Sequence, residues 1–461
     1  MEGAVSIVAS GHFWVPQAPN VKVSGTFTSA PGDQPTAKLA EGVVDDPRVT
    51  RSSHGGITYA QGGASSIQAF LPITLQGQLD SGEVVTLVNA HNHGGPGRPF
   101  ENPYYKAFYA IVGDRLVSGP DQPFGSMRFR FGDPYWLGHL QDGEASAVDS
   151  GGSTLSVVAD DDGNWLLYTP ATPATLGRLE SLVVLGCQTL AELVLAPEFE
   201  ARDTQVRINE GDAWLTVHGP GANTPPKELE DRELLPREEL TIERFAKWIP
   251  FNDTLDGLAT VVARPLKGLL QTEVLVVTAL VEGLHRRMTK TFEQSKFPAA
   301  SGSALDRIRQ AARRAAKNKA EDEQDLDPDE VRNAVKDAVG HFDDVDYLQR
   351  ADDVVTMVCN VLPEINESVA DLPKRLRDAR NEMAHQLPLD HEKEPLEVRY
   401  LRWLVVSYVT PWLLRSLLLL DIGIEPALLR DQLSANSRFF YFRANVAQFV
   451  AELGWGLTPS S

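Results

Sequence analysis

The apolar residues of this 461-residue chain change their spacing once, and that change dictates how the chain divides. From Val5 to about Val217 they form short runs or alternate with polar residues, as strands burying one face require. Candidate strands are Val21 to Thr28, Ser66 to Leu75, Val84 to Asn89, Ala107 to Val112, Ser126 to Phe131, Thr154 to Val158, Trp165 to Tyr168 and Ala213 to His218. Turns such as Pro31-Gly32-Asp33, Asp80-Ser81-Gly82 and Asp161-Asp162-Gly163 supply the positive φ that reverses a chain. Leu176 to Leu195 is the exception, a helix expected to pack on the sheet. The run from Gly219 to Pro226 and the charged stretch Lys227 to Glu239 can bury no core. Beyond them the spacing is helical in Gly268 to Lys296, Ser303 to Lys319, Pro328 to Val339, Val345 to Leu362, Glu364 to Gln386, Pro395 to Leu420 and Pro426 to Ala435. The expected fold is α+β multidomain. A β-rich, sandwich-like domain spans 1–225, a linker 226–240 and an all-α bundle 241–461.

Charge is distributed unevenly over these parts. Residues 1 to 240 carry 30 acidic and 15 basic side chains, whereas residues 241 to 461 carry 33 and 28, although the whole chain is at −20. A polyanion would therefore meet least repulsion at the helical half, where Arg307 to Lys319 and Lys374 to Arg380 are locally basic. Each stretch also reads simply as a solvated helix face. Cys187 and Cys359 lie in different halves without metal-ligand spacing, so neither a disulfide framework nor a zinc site is expected. The N-terminus lacks the basic leader and apolar segment of a signal peptide, which leads us to expect a cytoplasmic location. Trp403 to Leu420 is the most apolar segment, but Arg402, Pro411 and Arg415 mark it as a helix buried in a bundle or interface and not a membrane span.

The chemistry-bearing candidates lie in Glu364 to Gln386, where Pro373 should kink or restart the helix. Its last turns hold Arg380, Asn381 and His385, three residues before Pro388. Asn381 and His385 fall one turn apart on one face, while Arg380 starts about 140° away and must curl round. The partial negative charge of a helix C-terminus favours a protonated imidazole, which would serve as a general acid. A surface arginine and a capping histidine are the plainer alternative.

The order Arg-Asn-x3-His near the end of a helix, within an all-helical C-terminal part, resembles the HEPN superfamily. Gly11-His12-Phe13-Trp14-Val15-Pro16, followed by Val23-Ser24-Gly25, resembles the N-terminal domain of ApeA-type antiphage proteins, and Glu282-Gly283-Leu284-His285-Arg286 suits the first long helix of their HEPN domain. The resemblance covers most of the chain. It implies a metal-independent endoribonuclease, with no cofactor, that completes its site across a homodimer or higher homo-oligomer. In that chemistry the RNA 2'-hydroxyl attacks the adjacent phosphorus, leaving a 2',3'-cyclic phosphate. His385 would exchange protons with the attacking or leaving oxygen, Arg380 would neutralise phosphoryl charge, and Asn381 would orient His385 or bind phosphate. Lys374, Arg375 and Arg377 would meet the RNA backbone. The β-rich domain would sense a trigger, such as a phage component, or restrain the nuclease, and no membrane is involved.

Two other readings stay open: a non-catalytic RNA-binding or dimerisation bundle, and a β-sandwich binding a glycan or peptide through Trp14, Tyr104, Tyr105 and Trp136, residues that also suit a core. His91-Asn92-His93 is read as a polar loop without a third metal ligand, and Asp160 to Asn164 as a hairpin turn without the downstream Glu of a calcium loop. Glu282 and Arg286 are expected to form an i, i+4 ion pair, with a supporting role near the site as the alternative for Glu282 and His285.

Overall fold

The computed structural model describes residues 6–30, 32–43, 49–51, 57–59, 71–93, 103–131, 134–161, 163–195, 201–219, 233–323, 325–367, 369–384 and 394–455. By its internal contacts the chain forms two compact units, Met1–Thr254 and Leu255–Ser461. The first is rich in strands and the second is helical, an α+β architecture.

Strands of the first unit are β1 (Ile7–Trp14), β2 (Val23–Ser29), β3 (Thr36–Leu39), β4 (Val49–Arg51), β5 (Ile57–Tyr59), β6 (Ile73–Leu79), β7 (Val84–Asn92), β8 (Tyr104–Lys106) and β9 (Tyr109–Gly113). They continue with β10 (Pro123–Phe124), β11 (Ser126–Phe131), β12 (Ala145–Ala147), β13 (Thr154–Asp160), β14 (Gly163–Thr169), β15 (Ala174–Thr175), β16 (Ala201–Arg207) and β17 (Leu215–His218). Among the described residues thirteen of these strands join one sheet, in the order β12-β13-β14-β11-β16-β17-β9-β7-β6-β1-β2-β3-β8.

Strand β7 has two neighbours on one side. Val84 to Val88 pair with β9, whereas His91 and Asn92 pair with β8, which closes β7-β6-β1-β2-β3-β8 into a barrel. Among the described residues the sandwich-like expectation is thus sharpened to one thirteen-stranded sheet, curled shut at one end and open at the other, beside the two-stranded pairs β10-β15 and β4-β5. His91 and Asn92, read from the sequence as a loop, end a strand because β8 supplies their partners. Of the expected strand Ser66 to Leu75, residues 66–70 lie outside the described residues and β6 begins at Ile73. Phe13, Phe27, Leu39, Leu75, Leu87 and Tyr105 pack together as the barrel core.

Tight coiling has a visible cause at Gly11 and Gly25, which face each other across β1 and β2. A Cβ on Gly11 would overlap the Gln78 carbonyl oxygen and sit 2.9 Å from Leu79 Cα; one on Gly25 would sit 2.7 Å from the Lys38 carbonyl oxygen. Backbone approaches this close leave room only for glycine.

The helix expected over Leu176 to Leu195 is present as α1 (Leu176–Leu179), a π-turn (Glu180–Val184) and α2 (Leu185–Leu195). Helix α3 (Ile242–Leu255) packs with it: Trp248 Nε1 donates to the Gly186 carbonyl at 2.8 Å, and Arg178 makes a two-pronged pair with Asp253 at 2.7 and 2.8 Å. These contacts move the division between units past the 226–240 linker to Thr254.

The second unit contains α4 (Leu258–Ala263), α5 (Leu270–Arg287), α6 (Gly302–Glu321), α7 (Pro328–Ala338), α8 (Tyr347–Cys359), α9 (Leu372–Ala384), α10 (Leu396–Asp421), α11 (Pro426–Ala435) and α12 (Ser437–Leu453). Helices α5, α8, α9 and α10 each touch the other three, forming a bundle around Val281, Leu284, Val354, Leu376, Val409 and Leu413. Helix α10 is the one helix among the described residues long and apolar enough to cross a membrane; its place in this bundle makes it a core helix. Helices α6 and α7 pack mainly on each other. Of their side chains only Leu305 and Ala320 are buried.

Candidate functional site

Helix α9 starts where Asp371 takes φ 60°, and Pro373 occupies its first turn, where a missing N–H breaks no helical bond. The restart expected at Pro373 is therefore observed. Leu372, Pro373, Leu376 and Ala379 form the buried stripe. Helical geometry puts Lys374, Arg377 and Asn381 together on the opposite face. Arg380 lies at the margin of the two.

From that margin Arg380 turns toward the bundle. Its Nη2 donates to Glu282 Oε2 at 3.0 Å, and its guanidinium lies over the Tyr347 ring, 5.1 Å from the centroid. Glu282 is also paired within its own helix, its Oε1 accepting from Arg286 Nε and Nη2 at 3.0 and 2.9 Å. The expected i, i+4 pair is present, and the same carboxylate spans to α9. The Tyr347 hydroxyl donates to the Thr278 carbonyl at 3.0 Å, which fixes the ring under Arg380. Burial pushes that hydroxyl well above its ordinary range, so it stays protonated. Arg380 is thereby oriented on two sides while 32% of its side chain remains exposed.

A second set of contacts locks the floor of this region. His285 is fully buried, stacks on Phe292 at 4.5 Å between centroids, and places Nε2 2.9 Å from Asp353 Oδ2. Arg350 Nη1, 3.0 Å from His285 Nδ1, can only donate, so Nδ1 is the acceptor and the proton sits on Nε2. Burial lowers the His285 pKa, outweighing Asp353, and keeps the ring neutral. Arg350 also donates to Gln294 Oε1 at 2.9 Å, and Gln294 returns a bond to the His285 carbonyl at 2.8 Å. His285 ties α5 to α8, with its ring hydrogen bonds already committed to Asp353 and Arg350.

Beyond Asn381, Glu382 joins the end of α9 to the start of α10. Its Oε1 is 3.1 Å from Arg399 Nε, and its Oε2 accepts from Arg402 Nη2 and Trp403 Nε1 at 3.2 and 3.3 Å. Glu394 pairs with the same two arginines at 3.4 and 2.8 Å.

The sequence candidates are placed as follows. Lys374 is exposed, Arg377 pairs with neighbouring Asp378 at 2.7 Å, and Asn381 is half-buried. Arg375 leaves that face, its guanidinium lying 4.0 Å from the Trp455 ring centroid. His385 lies outside the described residues, as does Pro388. Sequence spacing gave no sign of Tyr347, Arg350, Asp353, Arg399 or Arg402; charged residues on separated helices carry no local signature of their partners. Of the aromatics weighed for ligand binding, Trp14, Tyr105 and Trp136 are buried and only Tyr104 is exposed. Among the described residues there is no cluster of three metal-ligating side chains.

The arrangement offers an oriented, partly exposed guanidinium beside an exposed polar helix face, a geometry suited to an oxyanion. Comparison with known families reaches the other unit. Residues 9–155 match the model of ApeA N-terminal domain 1. The match includes Gly11 and Gly25, whose close backbone approaches shape the barrel, and it supports an ApeA-like protein and, with it, an antiphage-defence family. It ends at residue 155, so it does not extend to the helical unit. No curated protein and no solved structure matches the chain.

Proposed function

We propose that this chain is a metal-independent HEPN-type endoribonuclease of antiphage defence, with its β-rich unit sensing a trigger or restraining the nuclease. The observation that carries the reading is Arg380: held by Glu282 and the Tyr347 ring, it stays partly exposed five positions before His385. The Arg-Asn-x3-His order and the ApeA N-terminal match support the same reading.

In the proposed reaction the 2'-hydroxyl oxygen bonds to phosphorus and the bond to the 5'-oxygen breaks. His385 of one copy takes the 2' proton, and His385 of a second copy gives a proton to the leaving 5'-oxygen. Arg380 meets the charge that grows on the non-bridging oxygens. Asn381 orients the imidazole or binds phosphate, and Lys374 and Arg377 meet the flanking backbone. A two-fold homodimer would bring two such helices around one phosphate.

The test compares wild type, His385→Ala and Arg380→Ala on total RNA, with cleaved ends identified. Wild type should give 2',3'-cyclic phosphate ends and the variants should lose at least about a hundredfold in rate. Equal cleavage by all three, or none by wild type when expressed during phage challenge, overturns the assignment. RNA retention without cleavage would instead favour the binding module.

A further inference from the structure

The outer face of the open sheet carries a feature that the helical site does not use. Arg128 and Arg130 are two residues apart on β11 and so share a face. Across from them on β16 stand Gln205 and Asp203, with Arg207 opposite Ser126. Arg128 lies over the rings of Trp165 and Trp214 at 4.4 and 4.7 Å from the centroids, Arg130 over Trp165 at 4.7 Å, and Arg207 over Trp214 at 4.8 Å. The side chains alternate as Arg207, Trp214, Arg128, Trp165, Arg130.

Charge along this ladder is compensated at one end. Arg130 pairs with Asp203 at 2.6 Å and with Asp160 at 3.9 Å, and Asp160 also accepts from Trp165 Nε1 at 2.6 Å. Arg128, by contrast, donates Nε to the neutral amide of Gln205 at 2.7 Å. The buried Nε of Arg207 has no hydrogen-bond partner among the described residues. A ring face orients a guanidinium without cancelling its charge and leaves its N–H edge available. Burial lowers the Arg128 pKa most; the Asp160 carboxylate opposes this, Arg130 and Arg207 add to the lowering, and the net shift is below the ordinary value. All this sits within residues 1 to 240, which carry twice as many acidic as basic side chains, so two arginines side by side with no carboxylate within ion-pair distance among the described residues run against the local composition.

We infer that the Arg128–Arg207 end of the ladder is a binding site for a phosphate dianion, free or as a monoester. Two guanidiniums match two negative charges, and their planar forks match phosphate oxygens. A long polyanion would suffer repulsion from the acidic unit around the site. The ligand is therefore short: inorganic phosphate, a free nucleotide, or the 5'-phosphorylated end of an oligonucleotide. This site is independent of the ribonuclease reading and would give the β-rich unit a chemical input of its own.

The test is calorimetric titration of the full chain with inorganic phosphate, AMP, acetate, and a pentanucleotide with and without its 5'-phosphate. Saturable binding at one site per chain is expected for phosphate-bearing probes, weaker at pH 5.5 than at pH 8 because the dianion takes up a proton near pH 6. Preference for AMP identifies free nucleotide as the source; preference for the 5'-phosphorylated oligomer identifies nucleic-acid ends. Arg128→Gln and Arg207→Gln should each weaken binding at least about tenfold. Arg207→Lys, which keeps the charge without the fork, should fall between. Absence of binding to wild type at millimolar phosphate and AMP overturns the inference even if the variants fold poorly. So does acetate binding as tight as phosphate, or unchanged affinity in both glutamine variants.

Discussion

The ladder on the open sheet and the joint between α9 and α10 hold their arginines in opposite ways. On the open sheet Arg128 and Arg207 lie against tryptophan faces, whereas in the bundle Arg399 and Arg402 lie against Glu382 and Glu394. A ring face fixes direction and leaves charge in place; a carboxylate fixes direction and cancels charge. Arg380 has one contact of each kind, Glu282 and Tyr347. The first mode suits a surface that must remain attractive to anions, the second suits a joint between helices.

Removing a ring should cost most. Trp165 is almost fully buried between two guanidiniums, so Trp165→Ala should destabilise the first unit by about 3–5 kcal/mol, read from the shift of a urea unfolding curve. Loss of less than about 1 kcal/mol would break the comparison, since the ladder would then be a surface ornament. On the bundle side, Glu382→Ala strips Arg399, whose side chain is 7% exposed, of one of its two carboxylates. The expected loss is about 3 kcal/mol, and Glu382→Gln, which keeps hydrogen-bonding capacity but not charge, should lose less. Equal losses would mean that charge, and not packing or hydrogen-bonding capacity, ties α9 to α10.

Glu282→Gln sharpens the mixed case. The carboxylate is partly exposed and its intrahelical pair with Arg286 contributes little, so stability should change by about 1 kcal/mol or less. Cleavage should fall about tenfold if Glu282 positions Arg380, and restoration by Glu282→Asp to an intermediate rate would separate positioning from simple folding. The smallest effect is a pH slope. His285 is held neutral in the folded state, its pKa lying below the ordinary 6.5, whereas the unfolded chain protonates it there. Its contribution to stability is thus complete above that value and is lost as pH falls below it. Wild type should lose stability between pH 7.5 and pH 5.5 more steeply than His285→Gln, in parallel denaturant melts at each pH. Identical slopes would mean that the fold does not lower the His285 pKa.

Local signals were legible and partner choice was not. Asp161 to Gly163 was read as a turn, and β13 and β14 form a hairpin in which Asp160 pairs with Gly163. The interruptions at Arg402, Pro411 and Arg415 kept α10 from being read as a membrane span, in line with its buried place among helices. Strand β16 escaped because its outward residues, Asp203, Gln205 and Arg207, hide the inward pair Thr204 and Val206 in a polar stretch. Helix α12 escaped as well: Phe439, Phe442, Val446 and Val450 are its buried stripe, but the four consecutive aromatics Phe439 to Phe442 blur the spacing. In the candidate site Arg380 and Asn381 could be placed on a helix end from the sequence, yet the Glu282 that holds Arg380 is 98 residues away. Spacing within one helix specifies a face. It does not specify what that face meets.

The α6–α7 hairpin bears on how such chains diverge. Because α7 buries no side chain and α6 buries only Leu305 and Ala320, insertions, deletions and exchanges there leave the four mutually packed helices intact. Selection on core volume scarcely reaches it. Among descendants of a common ancestor, length and sequence should drift fastest between Gly302 and Ala338, making this arm the part of the helical unit freest to acquire new specificity.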